Sequence, residues 1–158
     1  MPARVKPETA IPQWLISAAD DPAEAQQDWQ AGRPAVLSTG IIFDAVKIHP
    51  TVIHAAVRST TETAVSTTLA ETLDGPVICH YGHWYYALVP PQTTETWMSP
   101  HATVRGRGAW VGVPPIEITA RELLHWSVPV VRAGKLCAPG DVAEVLRIGA
   151  ARLEGILL

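Results

Sequence analysis

The sequence predicts an α+β domain, a mixed or antiparallel sheet flanked by helices, and three observations carry that prediction. Helix and strand signals follow the order α, β, β, α, α, then mostly β, then α, without the regular βαβ alternation of a parallel sheet. A chain of 158 residues is long enough to bury one core without disulfides or metals. Hydrophobic content of 47% against 17% charged residues describes a folded, rather apolar domain. No internal repeat and no dividing linker is visible, so residues 14–158 read as one domain.

Residues 1–13 carry three prolines and mixed charges and read as a loose N-terminal arm. "ADDPAEAQQDWQAG" has the punctuation of a helix: Asp21 to cap it, Pro22 in its first turn, Glu24 to complete a capping box, Gly32 to stop it. "RPAVLSTG" and "IIFDAVKI" read as strands. Pro50 opens a helix through Arg58, and "TTETAVSTTLAETL" gives another, with Ala64, Val65, Leu69 and Leu73 near helical spacing. "TTETWM" is a short helical turn. "VRGRGAWVGVPP" reads as a hairpin, strand, glycine bend, strand. "HWSVPVV" is a further strand and "GDVAEVLRIGAARLEGILL" a C-terminal helix.

Charge and cysteine usage narrow the function classes. A net charge of −3 counts against tight non-specific DNA binding, which rests on many Lys and Arg contacts. Cys79 and Cys137 give no disulfide framework. No apolar leader opens the sequence and no apolar run approaches a membrane span, so a cytoplasmic protein is expected.

Chemistry concentrates in "VICHYGHWYYALVPP", Val77 to Pro91, which holds Cys79, His80, His83, Trp84 and all three tyrosines of the chain. A turn at Tyr81-Gly82 places Ile78, His80, His83 and Tyr85 on one face, and Val77, Cys79, Trp84 and Tyr86 on the other. The second face is predicted to be core. The first is a candidate site, with His83, Asp44 and Tyr85 as acid/base groups. His80 and His83, with Asp44 or His49, are the residues a metal would use. No second Cys/His pair lies at zinc-ligand spacing, so no metal site is predicted. The remaining histidines, His54 and His125 among them, and the six tryptophans fit ordinary packing roles.

"VRGRGAWVGVPP" followed ten residues later by "HWSV", together with "GHWYYALVPP", "GRPAVLSTG" and "FDAVKI", resembles the bifunctional DNA primase/polymerase N-terminal domains of the archaeo-eukaryotic primase superfamily. It is most similar to the short actinobacterial type without a helicase part. The similarity spans roughly residues 29–130. It implies that Asp44 matches the first aspartate of the family's metal motif, His83 its phosphate-contacting histidine, and Arg105 its late-motif arginine. Arg107, beside it in "RGRG", is a second candidate phosphate ligand. The other two carboxylate positions are held by Val46 and Thr103. One aspartate cannot hold two Mg²⁺ ions, so at most weak Mg²⁺ or Mn²⁺ binding and no template-directed synthesis are expected.

Two functions follow as expectations. The resemblance implies a non-polymerising primase-like domain that binds nucleotide or nucleic acid in an accessory or regulatory role. The residues themselves also suit a cofactor-independent enzyme acting on an apolar or aromatic small molecule by acid/base catalysis. A homo-oligomer built through the C-terminal helix is a third possibility for its partners, and no membrane is involved.

Overall fold

In the computed structural model, which describes residues 7–120 and 122–155, the elements run α1 (Pro7–Ile16), α2 (Pro22–Gln30), β1 (Ala35–Ser38), β2 (Asp44–Ile48), α3 (Pro50–Val57), α4 (Glu62–Leu73), β3 (Val77–His80), β4 (Trp84–Val89), a 3-10 turn (Thr93–Glu95), β5 (Thr103–Arg105), β6 (Trp110–Val113), β7 (Leu124–Val128) and α5 (Pro139–Leu153). Five strands form an antiparallel sheet in the order β5-β2-β4-β3-β7, and β1 pairs with β6 in a separate ribbon. The predicted α+β class is therefore the observed one.

Both faces of the large sheet are covered. On one, Val46, Ile48, Val77, Cys79, Tyr85 and Ala87 pack with Ile53 of α3, Val65 and Leu69 of α4, and Val145 and Leu146 of α5. On the other, Ala45, Ile78, Tyr86, Leu88 and Trp126 pack against Leu15 of α1 and against Leu37 and Val111 of the ribbon. Burying each such aliphatic side chain contributes roughly 1.5–3 kcal/mol. This double cover explains why β4 is apolar from Tyr85 to Val89 instead of alternating.

The helices start where local chemistry starts them. Asp21 accepts from the Glu24 amide at 3.1 Å, with Pro22 following it. His49 caps α3 by accepting the Thr51 amide on Nδ1 at 3.2 Å. Helix α5 buries Val142, Val145, Leu146, Gly149 and Ala150, a stripe at i, i+3, i+4, i+7 and i+8 that faces its own chain. Gly149 touches α3 so closely that a Cβ there would collide with the Val52 carbonyl oxygen. Arg152 then donates to the Ala55 and Ala56 carbonyls, at 3.2 and 2.5 Å, and closes the C-terminal end of α3.

Three expectations are corrected by the fold. The N-terminal arm is helical from Pro7, because Leu15 and its neighbours bury against the ribbon; residues 1–6 lie outside the described residues. The two strands of "VRGRGAWVGVPP" do not pair with each other. Strand β5 joins β2 and β6 joins β1, so the glycine bend carries the chain from one sheet to the other. The C-terminal helix packs its apolar stripe inside its own chain, and the apolar tail at 156–158 lies outside the described residues.

The third correction concerns the aromatic hairpin. Its loop has three residues, Tyr81-Gly82-His83, with Gly82 at φ +78° and the His83 amide donating to the His80 carbonyl at 2.9 Å. His80 therefore pairs with Trp84, Cys79 with Tyr85, and Ile78 with Tyr86. One residue of slip turns every β4 side chain to the opposite face. Tyr85 shares a face with Cys79, while Trp84 and Tyr86 share one with His80.

Candidate functional site

The corrected register assembles a cleft at the loop end of the sheet, on the α3–α4 side. Its volume is about 750 Å³, and Tyr85, Cys79, His54, His125, Glu62, Glu122, Tyr81 and Leu123 are among its walls. That size falls in the range of small-molecule sites, roughly 300–1,000 Å³. Tyr85 and Cys79 form the floor as a cross-strand pair, and His125 of β7 stands opposite Cys79 on its other side. The last turn of α3 supplies His54. The first residue of α4 supplies Glu62, where a carboxylate is favoured by the helix dipole.

The Tyr85 hydroxyl lies 3.5 Å from His54 Nε2, with the rings edge to face at 6.0 Å. Burial holds His54 below the ordinary histidine range, so its imidazole is neutral near pH 7. Burial also raises the Tyr85 phenol well above its ordinary value, with Glu62 adding to the effect. A neutral imidazole beside a protonated phenol can accept and return a proton.

His125 is only 1% exposed. Its Nδ1 lies 2.9 Å from the Glu122 carbonyl, which fixes the proton on that nitrogen. Its Nε2 lies 2.5 Å from a Glu62 carboxylate oxygen but off the line of a hydrogen bond. The Cys79 thiol is pushed up to about 11, chiefly by burial. Both nitrogens of the neighbouring His125 imidazole face oxygens, of Glu122 and Glu62, and burial keeps the Cys79 thiol protonated near pH 7.

Of the residues the sequence singled out, only Tyr85 lines this cleft. Asp44 begins β2 opposite Val89, while His83 lies beyond the other end of β4. Six residues of strand, about 20 Å, separate them. His83 is exposed and stacks on His80 at 4.4 Å between ring centroids, on the opposite face from Tyr85. Asp44, His83 and Tyr85 are thus in three places and form no acid/base constellation.

Asp44 has its own surroundings. It is fully buried and accepts the Thr94 amide on Oδ2 at 3.3 Å. Burial raises its pKa, and the amides of Thr94, Gln92, Thr93 and Gly40 oppose that shift. The carboxylate gathers the start of the 3-10 turn, as a capping residue does. Beside it, Gly40 at φ +89° lets the Arg107 backbone approach where any Cβ would collide. Arg107 lines a hollow of about 240 Å³ with Gly40, Gln92, Thr94 and Glu95. Arg105 donates to the Trp110 carbonyl at 2.8 Å and lies 5.4 Å above the Tyr86 ring. The two arginines are therefore engaged separately.

Among the described residues no three His, Cys, Asp or Glu side chains are placed to hold a metal ion together, and no helix is long and apolar enough to cross a membrane. No family model, no curated protein and no solved structure matches the chain.

The sequence reading missed His54, Glu62 and His125. Each comes from a different element, and only the β3–β7 pairing and the α3–sheet packing bring them to Tyr85. A single strand's alternation holds no signal for that convergence.

Proposed function

We propose that the chain binds an apolar or aromatic small molecule in the Tyr85 cleft and moves a proton on it, without a cofactor. The observation that carries this reading is the Tyr85–His54 contact in the wall of a 750 Å³ cleft. His54, neutral near pH 7, acts as the base, and the Tyr85 hydroxyl positions or relays the proton. Exposed Tyr81 and Leu123, hydrogen-bonded to each other through their backbones at the rim, offer an apolar entrance. The test is a thermal-shift screen of small aromatic and carbonyl compounds, followed by deuterium wash-in from solvent into each bound compound. Wash-in that Tyr85→Phe and His54→Gln each reduce at least tenfold supports the reading. Binding without wash-in would reduce the protein to a carrier.

A second reading follows from the primase-polymerase resemblance: nucleotide or nucleic-acid binding in an accessory role. The observation favouring it is a basic and aromatic strip on the opposite face. Lys47 Nζ sits 3.9 Å over the Trp84 ring, His49 meets the same ring edge-on, and His80 and His83 stack beside it. Bases stack on such aromatics and cations meet phosphates. Quenching of tryptophan fluorescence by ATP or a short single-stranded DNA, weakened by salt and by Lys47→Glu, is the result this reading requires. Mg²⁺ or Mn²⁺ would be added in parallel.

A further inference from the structure

We infer that Glu62 is the general acid of the Tyr85 cleft, supplying a proton that it shares with His125, and that the substrate is a carbonyl compound with a C–H beside its carbonyl. This rests on the cleft being a proton-transfer site, and it adds the second proton-transferring group and the substrate class. Nδ1 of His125 faces the Glu122 carbonyl at 2.9 Å. A carbonyl only accepts, so the first ring proton sits on Nδ1. With that proton alone, Nε2 is a bare acceptor, yet a Glu62 oxygen lies 2.5 Å from it. Two bare acceptors repel at that distance, whereas a charge-assisted hydrogen bond closes to about 2.5–2.9 Å. The pair therefore holds one proton, which belongs to both residues together. The oxygen lies off the in-line direction of Nε2. A bent contact holds its proton less firmly than a straight one, so this proton is transferable.

The sheet sets this acid opposite the base. Tyr85, Cys79 and His125 stand side by side on β4, β3 and β7, so two strand spacings, about 10 Å, separate Tyr85 from His125. His54 sits at the Tyr85 end and Glu62 at the His125 end, with Cys79 between them on the floor. The Glu62 side chain is 47% exposed and that of His125 only 2%. Glu62 thus meets the substrate, and His125 acts through it as a positioning residue. His54 Nε2 takes the proton from the carbon beside the carbonyl. The C–H pair becomes a C=C bond, and the carbonyl π pair moves to oxygen, which receives the proton from Glu62. The reverse steps return the enol proton to the pair and the His54 proton to carbon, with no oxidant or cofactor.

Two measurements test this. In the ligand-free protein at pH 7, NMR of the His125 ring nitrogens and the Glu62 carboxyl carbon should find one proton on Nε2 or on the carboxyl. With phenylacetone as the probe, Glu62→Gln should slow deuterium wash-in at least tenfold while changing its binding less than about twofold. Glu62→Asp should restore part of the rate. A bare Nε2 facing an ionised carboxylate, or wash-in unchanged in Glu62→Gln, would overturn the shared-proton acid and leave the His54–Tyr85 reading standing. Phenylacetone that gives no wash-in with the wild type, or that fails to shift Tyr85 and His54, would overturn both.

Discussion

Tyr85 stands opposite Cys79 across the β3–β4 ladder, and its hydroxyl reaches His54 of α3, 3.5 Å away. That one relationship places the phenol on the helical side of the sheet and makes the floor of the cleft. Tyr85→Phe keeps the ring packing and removes only the hydroxyl. Its expected cost in stability is small, about 0.5–1.5 kcal/mol, whereas deuterium wash-in should fall tenfold or more. Urea unfolding and wash-in on the same preparation separate the two effects.

The Cys79 thiol is 5% exposed and pushed up to about 11. In the native protein at pH 7.5 it should resist iodoacetamide and react once the chain is unfolded in urea. Mass spectrometry of labelled peptides measures this. Rapid native labelling at Cys79 would contradict a buried, protonated thiol.

Asp44→Ala removes the acceptor that the Thr94 amide uses in a fully buried place. The expected loss is roughly 1–3 kcal/mol, read as a lower urea midpoint. Ligand binding in the Tyr85 cleft, at the other end of the sheet, should be unaffected in the variant's folded fraction.

Stability should fall as pH drops from 7 to 5. Burial depresses the folded pKa of His54, and of His80 with His83 adding to it. The unfolded chain takes up these protons first. The stability that the neutral rings contribute is fully present above an unfolded value of about 6.5 and is lost as pH falls through the lower folded values. Asp44, raised by burial, has the opposite sign: its contribution is present at acid pH and fades as pH rises through its folded value. His54→Gln should flatten the pH 5–7 slope of the urea midpoint.

Gly149→Ala forces α5 away from the Val52 carbonyl of α3. Overpacking of this kind costs about 1–3 kcal/mol. Because α3 carries His54, the variant should also shift the His54 ring resonances in an NMR spectrum, linking a packing change to the cleft.

Elements were legible in the sequence wherever local chemistry decides them. Asp21 with Pro22, Pro50, and the Val142–Ala150 stripe each announce a helix, and "AVLS" and "DAVKI" announce strands. The register of the aromatic hairpin was not legible. Gly82 at positive φ fits a two-residue or a three-residue loop, and the run "YYALV" is apolar on both sides because both faces of the sheet are covered. Alternation then offers no contrast to fix which face is inward. The one-residue difference moved Tyr85 from the His80 side to the Cys79 side. The α1 helix was hidden by its prolines and is stabilised by packing on the ribbon. Asp44 drew attention as a lone strand aspartate, and its buried place at the 3-10 turn depends on a loop fifty residues further on.

The central claim is that the functional end of the sheet is the Tyr85 end and not the Asp44 end. The most direct test is amide chemical-shift mapping of the folded protein during titration with benzyl alcohol and benzylamine. Saturable shifts clustered at His54, Glu62, Cys79, Tyr85 and His125 are expected. Shifts clustered instead at Gly40, Asp44, Thr94 and Arg107, with the Tyr85 cleft silent, would contradict it.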